Sequence, residues 1–195
     1  MSYRPRTLFR LIEDINHSLF LPHIQRPFVW STDQMQRLFD SLMRDYPIQT
    51  LLFWRTKDEI KARRFMDVID WDPDLSDYYD EPKSREGVEK VFVLDGQQSL
   101  QTLYALFRGG VMSEDGSTAL HAYACLTDGG DGAQPDDDGF LYRVLFSPTD
   151  RGPTFYRLAD LLGRDEQADR DDIADRLNDA LDAVPSDGSE EERRD

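Results

Sequence analysis

The residues best suited to chemistry in this chain follow a short apolar run in the sequence VFVLDGQQS, residues 91–99. Gly96 can adopt backbone conformations that other residues avoid, and a helical pattern of apolar residues follows it. A helix that begins there presents unbonded N–H groups and the positive end of its dipole, which commonly bind phosphate. Gln97 and Gln98 add uncharged amide donors. A phosphate-binding corner is therefore one interpretation of this stretch.

Asp95, at the same corner, has two alternative roles. Its carboxylate can cap the helix by accepting bonds from the first N–H groups. It can instead hold a magnesium ion or orient a water molecule. Because strand–Asp–Gly–helix corners are common in proteins, the corner taken alone favours a capped turn over a ligand site.

A second stretch that could contact a ligand is PHIQRPFVW, residues 22–30. Its two prolines favour an extended backbone around Gln25 and Arg26. Arg26 is always charged and can grip a phosphate with two hydrogen bonds, although a surface ion pair is the simpler role. Trp30 can stack on a base or belong to the core, and for Trp30 alone the core is favoured.

The elements that must position these residues alternate between helical and strand-like patterns. Ser31 and Gln34 fit a capping box, which predicts that a helix begins there. The predicted elements are a helix over 7–19, an extended piece over 20–30, a helix from 32 that is closed by Pro47, a strand over 50–54, a surface loop over 70–89, a strand over 91–94, a helix over 97–108, strands over 119–126 and 141–147, and helices over 155–163 and 171–184. That order predicts an α+β fold with a small mixed sheet flanked by helices.

Composition bounds the class of protein. The 195 residues are 39% hydrophobic, which is enough for one domain with a sizeable core. There is no signal-peptide pattern and no apolar run near the roughly 18–20 residues of a membrane span, so we expect a cytoplasmic protein without membrane contact. Cys125 is the single cysteine, which excludes an internal disulfide.

The charge is strongly negative and unevenly distributed. The net charge is −16, which argues against nonspecific binding of nucleic acid by the whole chain. Residues 1–66 hold 11 Arg and Lys against 7 Asp and Glu, whereas residues 67–195 hold 12 against 32. The basic first third either faces an anionic partner or forms solvated helix faces.

The two stretches together resemble one known family. An I/F-Q-R-x-x-x-W segment before a helix that ends in Y-P-I, followed later by D-G-Q-Q-x-L-x-T-L, is similar to the N-terminal domain of GmrSD-type restriction proteins. The first block matches at Gln25, Arg26, Trp30, Ser41, Tyr46, Pro47 and Ile48, and the second at Asp95, Gly96, Gln97, Gln98, Leu100, Thr102 and Leu103. The resemblance covers residues 7–165, and two blocks in the right order are more specific than either one alone.

The resemblance implies a ParB/sulfiredoxin-like fold and a function. Family members are modification-dependent antiphage restriction enzymes in which this domain binds and hydrolyses a nucleoside triphosphate. The domain senses modified DNA or gates a separate HNH-like nuclease. The expected partners are therefore a nucleoside triphosphate with magnesium, modified DNA and an HNH-type nuclease domain or subunit, while self-association into a homo-oligomer stays open.

The same resemblance assigns roles to individual residues. It implies Asp95 and Arg26 as catalytic groups, with magnesium held through Asp95, while Trp30 stays the candidate for stacking on a base. The residues that would hold the nucleotide and its phosphates are Gln25, Arg26, Gly96, Gln97, Gln98 and Ser99.

Two departures from the family pattern leave the activity open. The Arg that the family carries after Gln-Gln is replaced here by Ser99, which cannot neutralise charge, and losing such a cation slows phosphoryl transfer by orders of magnitude. The alternative to an NTP hydrolase is therefore a non-hydrolysing nucleotide- or DNA-binding regulatory module, unless Arg4, Arg6 or Arg26 compensates.

The second departure is that this chain holds no nuclease active site, because His17, His23 and His121 are scattered and form no H-N-H cluster. We expect a nucleotide-binding domain over residues 1–165, a C-terminal helix over 166–185 and a disordered acidic tail over 186–195.

Overall fold

The computed structural model describes residues 6–25, 28–58, 60–63, 65, 89–113, 115–129, 132–162 and 170–185. Arg26, the predicted tail over 186–195 and all of the predicted 70–89 loop except Glu89 lie outside these residues. The elements are α1 (Leu8–Asp14), β1 (Leu19–Pro22), α2 (Thr32–Met43), β2 (Leu52–Thr56), β3 (Ala62–Arg63), β4 (Lys90–Asp95), α3 (Gln97–Phe107), β5 (Val111–Met112), β6 (Ala119–Cys125), β7 (Val144–Ser147), β8 (Phe155–Arg157), α4 (Leu158–Leu161) and α5 (Arg170–Asp182). The predicted α+β class is confirmed.

A first, mixed sheet has the strand order β2-β4-β1-β3. β4 pairs with β1 in parallel and with β2 in antiparallel fashion, so β4 is a central strand. Because the carboxyl ends of parallel strands lie at one edge of a sheet, the segment after β1 and the corner after β4 come together.

The remaining four strands form a second sheet, which the sequence did not predict. β6 is its centre, with β5, β7 and β8 each paired to it in antiparallel fashion. The helix predicted over 155–163 is wrong in its first turn, because residues 155–157 are the strand β8 and only Leu158–Leu161 are helical.

Helix α3 lies between the two halves of the core. Its Leu100 packs in a cluster with Leu19, Leu21 and Val93 of the first sheet. Its Leu103 and Leu106 instead belong to a larger cluster that includes side chains from α2 and from β6. Because α3 is buried on several sides, its N-terminus is held in a fixed position beside the first sheet.

The predicted start of α2 is confirmed, whereas the predicted end of α1 is wrong. Both bonds of the predicted capping box are present at Ser31 and Gln34. Helix α1 ends at Asp14, five residues earlier than predicted, and Leu19 starts β1 instead. The chain turns at Asn16, which has φ 65°, and its side-chain amide binds the backbone of Phe65 through both of its polar atoms.

A polar clamp, formed by Gln36 and Asp40 on one face of α2, holds the chain before β7. The Gln36 amide donates to the Tyr142 carbonyl and accepts from the Val144 N–H, both at 2.7 Å. Asp40 accepts from the N–H groups of Leu141 and Tyr142, both at 2.9 Å. These side chains therefore satisfy backbone groups of residues 141–144, where the chain enters β7.

Within the described ranges, no helix is both long and apolar enough to cross a membrane.

Candidate functional site

The predicted corner between a strand and a helix is present at Gly96. This residue has φ 86° and ψ 13°, a left-handed conformation that side chains other than glycine rarely adopt. A Cβ atom there would lie 2.3 Å from Cδ2 of Leu51 and 2.8 Å from Nε2 of Gln49. Glycine is therefore required both by the backbone conformation and by the close approach of residues 49–51.

The N-cap residue of α3 is Gly96, so within the described part of the chain no N-cap side chain binds the first turn of this helix. Asp95 does not act as the cap that one interpretation of the sequence assigned to it. Its Oδ1 atom accepts a bond from the adjacent Gly96 N–H at 2.9 Å, and its side chain is exposed. Since the first turn of a helix leaves its N–H groups without carbonyl partners inside the helix, this end of α3 is suited to an anion.

An open cleft of about 380 Å³ lies directly at this helix end. Its lining residues are Gln25, Trp30, Gln49, Leu94, Asp95, Gly96, Gln97, Gln98 and Ser99. The cleft thus brings together the residues that the sequence predicts to bind the nucleotide, with one exception. Arg26 is the exception, because it lies outside the described residues.

Two glutamine side chains join the two blocks by hydrogen bonds. Gln25 Nε2 donates to the Leu94 carbonyl at 3.0 Å. Gln98 Oε1 accepts from the Val29 N–H at 3.0 Å, although Gln98 itself is only 5% exposed. The segment that carries Gln25 and Trp30 is therefore fixed to the corner by contacts across 69 residues of sequence.

Trp30 combines the two roles that the sequence left as alternatives. Its side chain is half-buried and packs against the larger core cluster. It also lines the cleft. One part of the indole is therefore held by the core while another part is available to a flat ligand.

Ser99 lies deep in the cleft wall. It is 2% exposed, it lines the cleft, and its hydroxyl has no hydrogen-bond partner among the described residues. Of the described lining residues, Asp95 is the only charged one. Arg6, one of the three cations named above as substitutes for the missing family Arg, pairs with Asp14 at 2.5 Å and is not among the described lining residues of the cleft.

Gln49 and Leu94 line the cleft but were not among the predicted site residues. Gln49 follows directly after the matched Tyr46-Pro47-Ile48 block, and that position was the available signal for it. Leu94 is the last apolar residue before Asp95, and its exposed position became visible only once β4 was placed.

A metal site made by protein side chains alone is not found in the described part of the chain. No group of three or more His, Cys, Asp and Glu residues is placed there to hold an ion. Asp95 is the one acidic side chain among the described residues that line the cleft.

The comparison with protein families agrees with the two sequence blocks. The family model described as "GmrSD restriction endonuclease, N-terminal domain" matches residues 8–194, which is nearly the whole chain. A comparison with curated proteins finds no match. The chain therefore belongs to the GmrSD restriction endonuclease N-terminal domain family.

Proposed function

We propose that this chain binds a nucleoside triphosphate in the cleft at the N-terminus of α3 and hydrolyses it to control a partner nuclease. Family membership makes the chain a component of a restriction system. The finer role, in a system that restricts modified phage DNA through an HNH-type nuclease, and a ParB/sulfiredoxin-like fold for the domain are part of the proposal.

The single observation that carries the proposal is that the N-terminus of α3, whose N-cap residue is a glycine, lies at a cleft lined by both sequence blocks. A helix end of this kind attracts phosphate oxygens through its N–H groups and dipole. Gly96 lets the backbone approach a ligand closely, and Gln97 and Gln98 place amides beside it. Trp30 offers a half-exposed aromatic surface on which a base can stack.

Magnesium fits this cleft as a companion of the nucleotide. Magnesium is commonly held by one or two carboxylates together with substrate phosphates, and Asp95 is an exposed carboxylate in the cleft wall. When bound, the ion would neutralise part of the phosphate charge. Asp95 would also orient a water molecule, while Arg26, next to Gln25 in sequence, would supply a cation for the phosphates.

Ser99 supports a second candidate function, a module that binds the nucleotide without hydrolysing it. A buried hydroxyl at this position can donate one hydrogen bond but carries no charge. Phosphoryl transfer depends on neutralising the charge of the transition state. In the second candidate function the nucleotide still binds in the cleft, but binding without hydrolysis controls the partner nuclease.

Two measurements test the proposal and separate the candidates. We expect each of the four common nucleoside triphosphates, or a subset of them, to raise the melting temperature in the presence of magnesium, because a ligand of the folded state stabilises it. No shift at millimolar nucleotide would remove both candidates. Release of inorganic phosphate, measured with and without modified DNA, supports hydrolysis, and binding without release supports the second candidate.

Substitution of Ser99 by Arg sharpens this distinction. We expect Ser99→Arg to raise the rate of phosphate release by about 10-fold or more, because it restores a cation beside the phosphates. Ser99→Gln is the matched control, since it adds length without charge. Equal rates for the two folded variants, at equal nucleotide occupancy, would show that charge at this position does not limit turnover.

A further inference from the structure

Gln49 is a glutamine of the cleft whose amide takes no part in holding the described fold together. Gln25 and Gln98 both bind backbone groups, as described above. Gln49 is exposed, lines the cleft, and makes no hydrogen bond to any described residue. A donor and an acceptor are therefore available at this side chain for a ligand.

The Gln49 amide lies against the corner from which α3 begins. Its Nε2 atom is 2.8 Å from the position that a Cβ atom of residue 96 would occupy. Ser99, whose hydroxyl is also without a partner in the described part of the chain, lines the same cleft from within the first turn of α3. Two uncharged donors thus flank the helix end where an anion is expected.

The backbone of Gln49 is anchored on both sides. Ile48 packs against the larger core cluster, and Leu51 packs against the cluster that contains Leu100 of α3. Anchoring of this kind reduces the conformational freedom that a side chain loses when it binds a ligand. An exposed loop residue without such neighbours would be a weaker candidate.

We propose that Gln49 is a phosphate-binding residue, whose amide N–H group donates to a phosphate oxygen held between the N-terminus of α3 and the Ser99 hydroxyl. The inference rests on the proposed function and names a contact that the two sequence blocks do not contain. The described lining holds no cation. Uncharged donors, the amide of Gln49 and the hydroxyl of Ser99, therefore take a larger share in holding the anion.

The test is calorimetric titration of the full chain with three probes, namely Mg-ATP, magnesium tripolyphosphate and adenosine. We expect Gln49→Ala to weaken Mg-ATP and tripolyphosphate by the same factor, about 5- to 10-fold, the effect of one neutral hydrogen bond. Gln49→Glu should weaken both further, by more than about 10-fold, because it places a negative charge beside the phosphate. Adenosine binding should stay unchanged in both variants.

Gln134→Ala is the matched control, because Gln134 is an exposed glutamine in the connection between β6 and β7, away from the cleft. Since Gln49 is exposed and makes no hydrogen bond to described residues, its variants should melt within about 2 °C of the unsubstituted chain. That measurement separates a lost contact from a lost fold.

Three results would overturn the inference, and they are distinguishable from one another. Binding of tripolyphosphate by Gln49→Ala within twofold of the unsubstituted chain removes the phosphate contact but leaves the proposed function standing. A loss confined to adenosine and Mg-ATP assigns Gln49 to the base instead. Failure of the unsubstituted chain to bind either phosphate probe, together with failure to bind the other three nucleoside triphosphates, overturns the proposed function as well.

Discussion

The polar clamp on α2 and the cleft at the N-terminus of α3 both contain glutamine and aspartate side chains, but these side chains have different partners in the two regions. In the clamp, both polar atoms of Gln36 and one carboxylate oxygen of Asp40 bind the backbone before β7 at 2.7–2.9 Å. In the cleft, Asp95 accepts one bond from its neighbouring N–H, and Gln49 makes none to described residues. Glutamine and aspartate therefore indicate neither structure nor function by their presence alone.

The two regions differ in how their backbone N–H groups are bound. Where the chain enters β7, the backbone N–H groups of Leu141, Tyr142 and Val144 each donate to a side chain of the clamp. At the cleft, the corresponding backbone groups lie in the first turn of α3, whose N-cap residue Gly96 has no side chain to bind them. The clamp therefore covers its backbone with side chains of α2, whereas the helix end faces an open cleft.

The largest effect that tests this comparison is expected for Asp40→Ala. It removes the acceptor of two backbone N–H groups, those of Leu141 and Tyr142, at a site where Asp40 is only 6% exposed. We expect the free energy of unfolding to fall by about 2–4 kcal/mol, measured by urea denaturation, with nucleotide affinity unchanged.

Asp33→Ala is the control on the same helix, because Asp33 is exposed and forms a surface pair with Arg37 at 3.0 Å. Such pairs contribute less than about 1 kcal/mol. Equal destabilisation by Asp33→Ala and Asp40→Ala would contradict the structural role assigned to the clamp.

An intermediate effect is expected for Gly96→Ala, which acts on the cleft. The left-handed backbone costs a residue with a Cβ about 1–2 kcal/mol, and here the new atom would also displace Leu51 and Gln49. We expect a loss of stability of about 2 kcal/mol and nucleotide binding weakened about 10-fold or more, measured by calorimetry.

Gly116→Ala separates conformational strain from the local displacement. Gly116 has φ +69°, but a Cβ atom there would meet nothing within 4 Å. We expect it to lose about 1 kcal/mol of stability and to bind nucleotide like the unsubstituted chain. If both glycine variants bind nucleotide equally well, the close approach at Gly96 does not serve the ligand.

The smallest effect is expected at Asp115. Its carboxylate accepts several hydrogen bonds, as the side chains of the clamp do, but it lies on the surface. The Ser113 hydroxyl, followed by the N–H and hydroxyl groups of Ser117, lowers the pKa of Asp115 to about 2. As the pH falls below 4, the Asp115 carboxylate becomes protonated in the unfolded chain, whereas in the folded chain it stays ionised until the pH is about 2. The contribution of Asp115 to stability is therefore present above pH 4 and is lost as the pH falls towards 2.

The Asp115 titration can be followed by the carboxyl carbon shift in an NMR experiment, with a midpoint expected near 2. The stability difference between the unsubstituted chain and Asp115→Asn should shrink as the pH falls from 4 to 2. A midpoint near the ordinary value of about 3.9 would contradict the hydrogen bonds described for this turn.

The parts of the fold that could be predicted are those fixed by neighbours in sequence. The capping box at Ser31 and Gln34 and the corner at Gly96 depend on residues within a few positions of each other, and both are present. The end of α1 could not be predicted, because Asn16 is held by Phe65, which lies 49 residues away. Strand β8 was missed for the same reason, since it forms by pairing with residues 123–125 of β6.

The candidate site was predictable to the same extent. The two blocks nominated residues on both sides of the cleft, and the bonds from Gln25 to Leu94 and from Val29 to Gln98 bring those sides together. Gln49 could not be nominated, because its free amide becomes apparent only when residues 48–51 pack beside the corner. The spacing of residues along the sequence does not show which side chains will lack hydrogen-bond partners in the folded chain.

The most direct test of the central claim is an amide NMR titration of the full chain with Mg-ATP. We expect the largest changes in chemical shift at residues 96–99 and at Val29, around the N-terminus of α3. We expect small changes at residues 141–144, where the clamp already binds the backbone. Changes concentrated at the clamp, or none anywhere at millimolar nucleotide, would contradict the central claim.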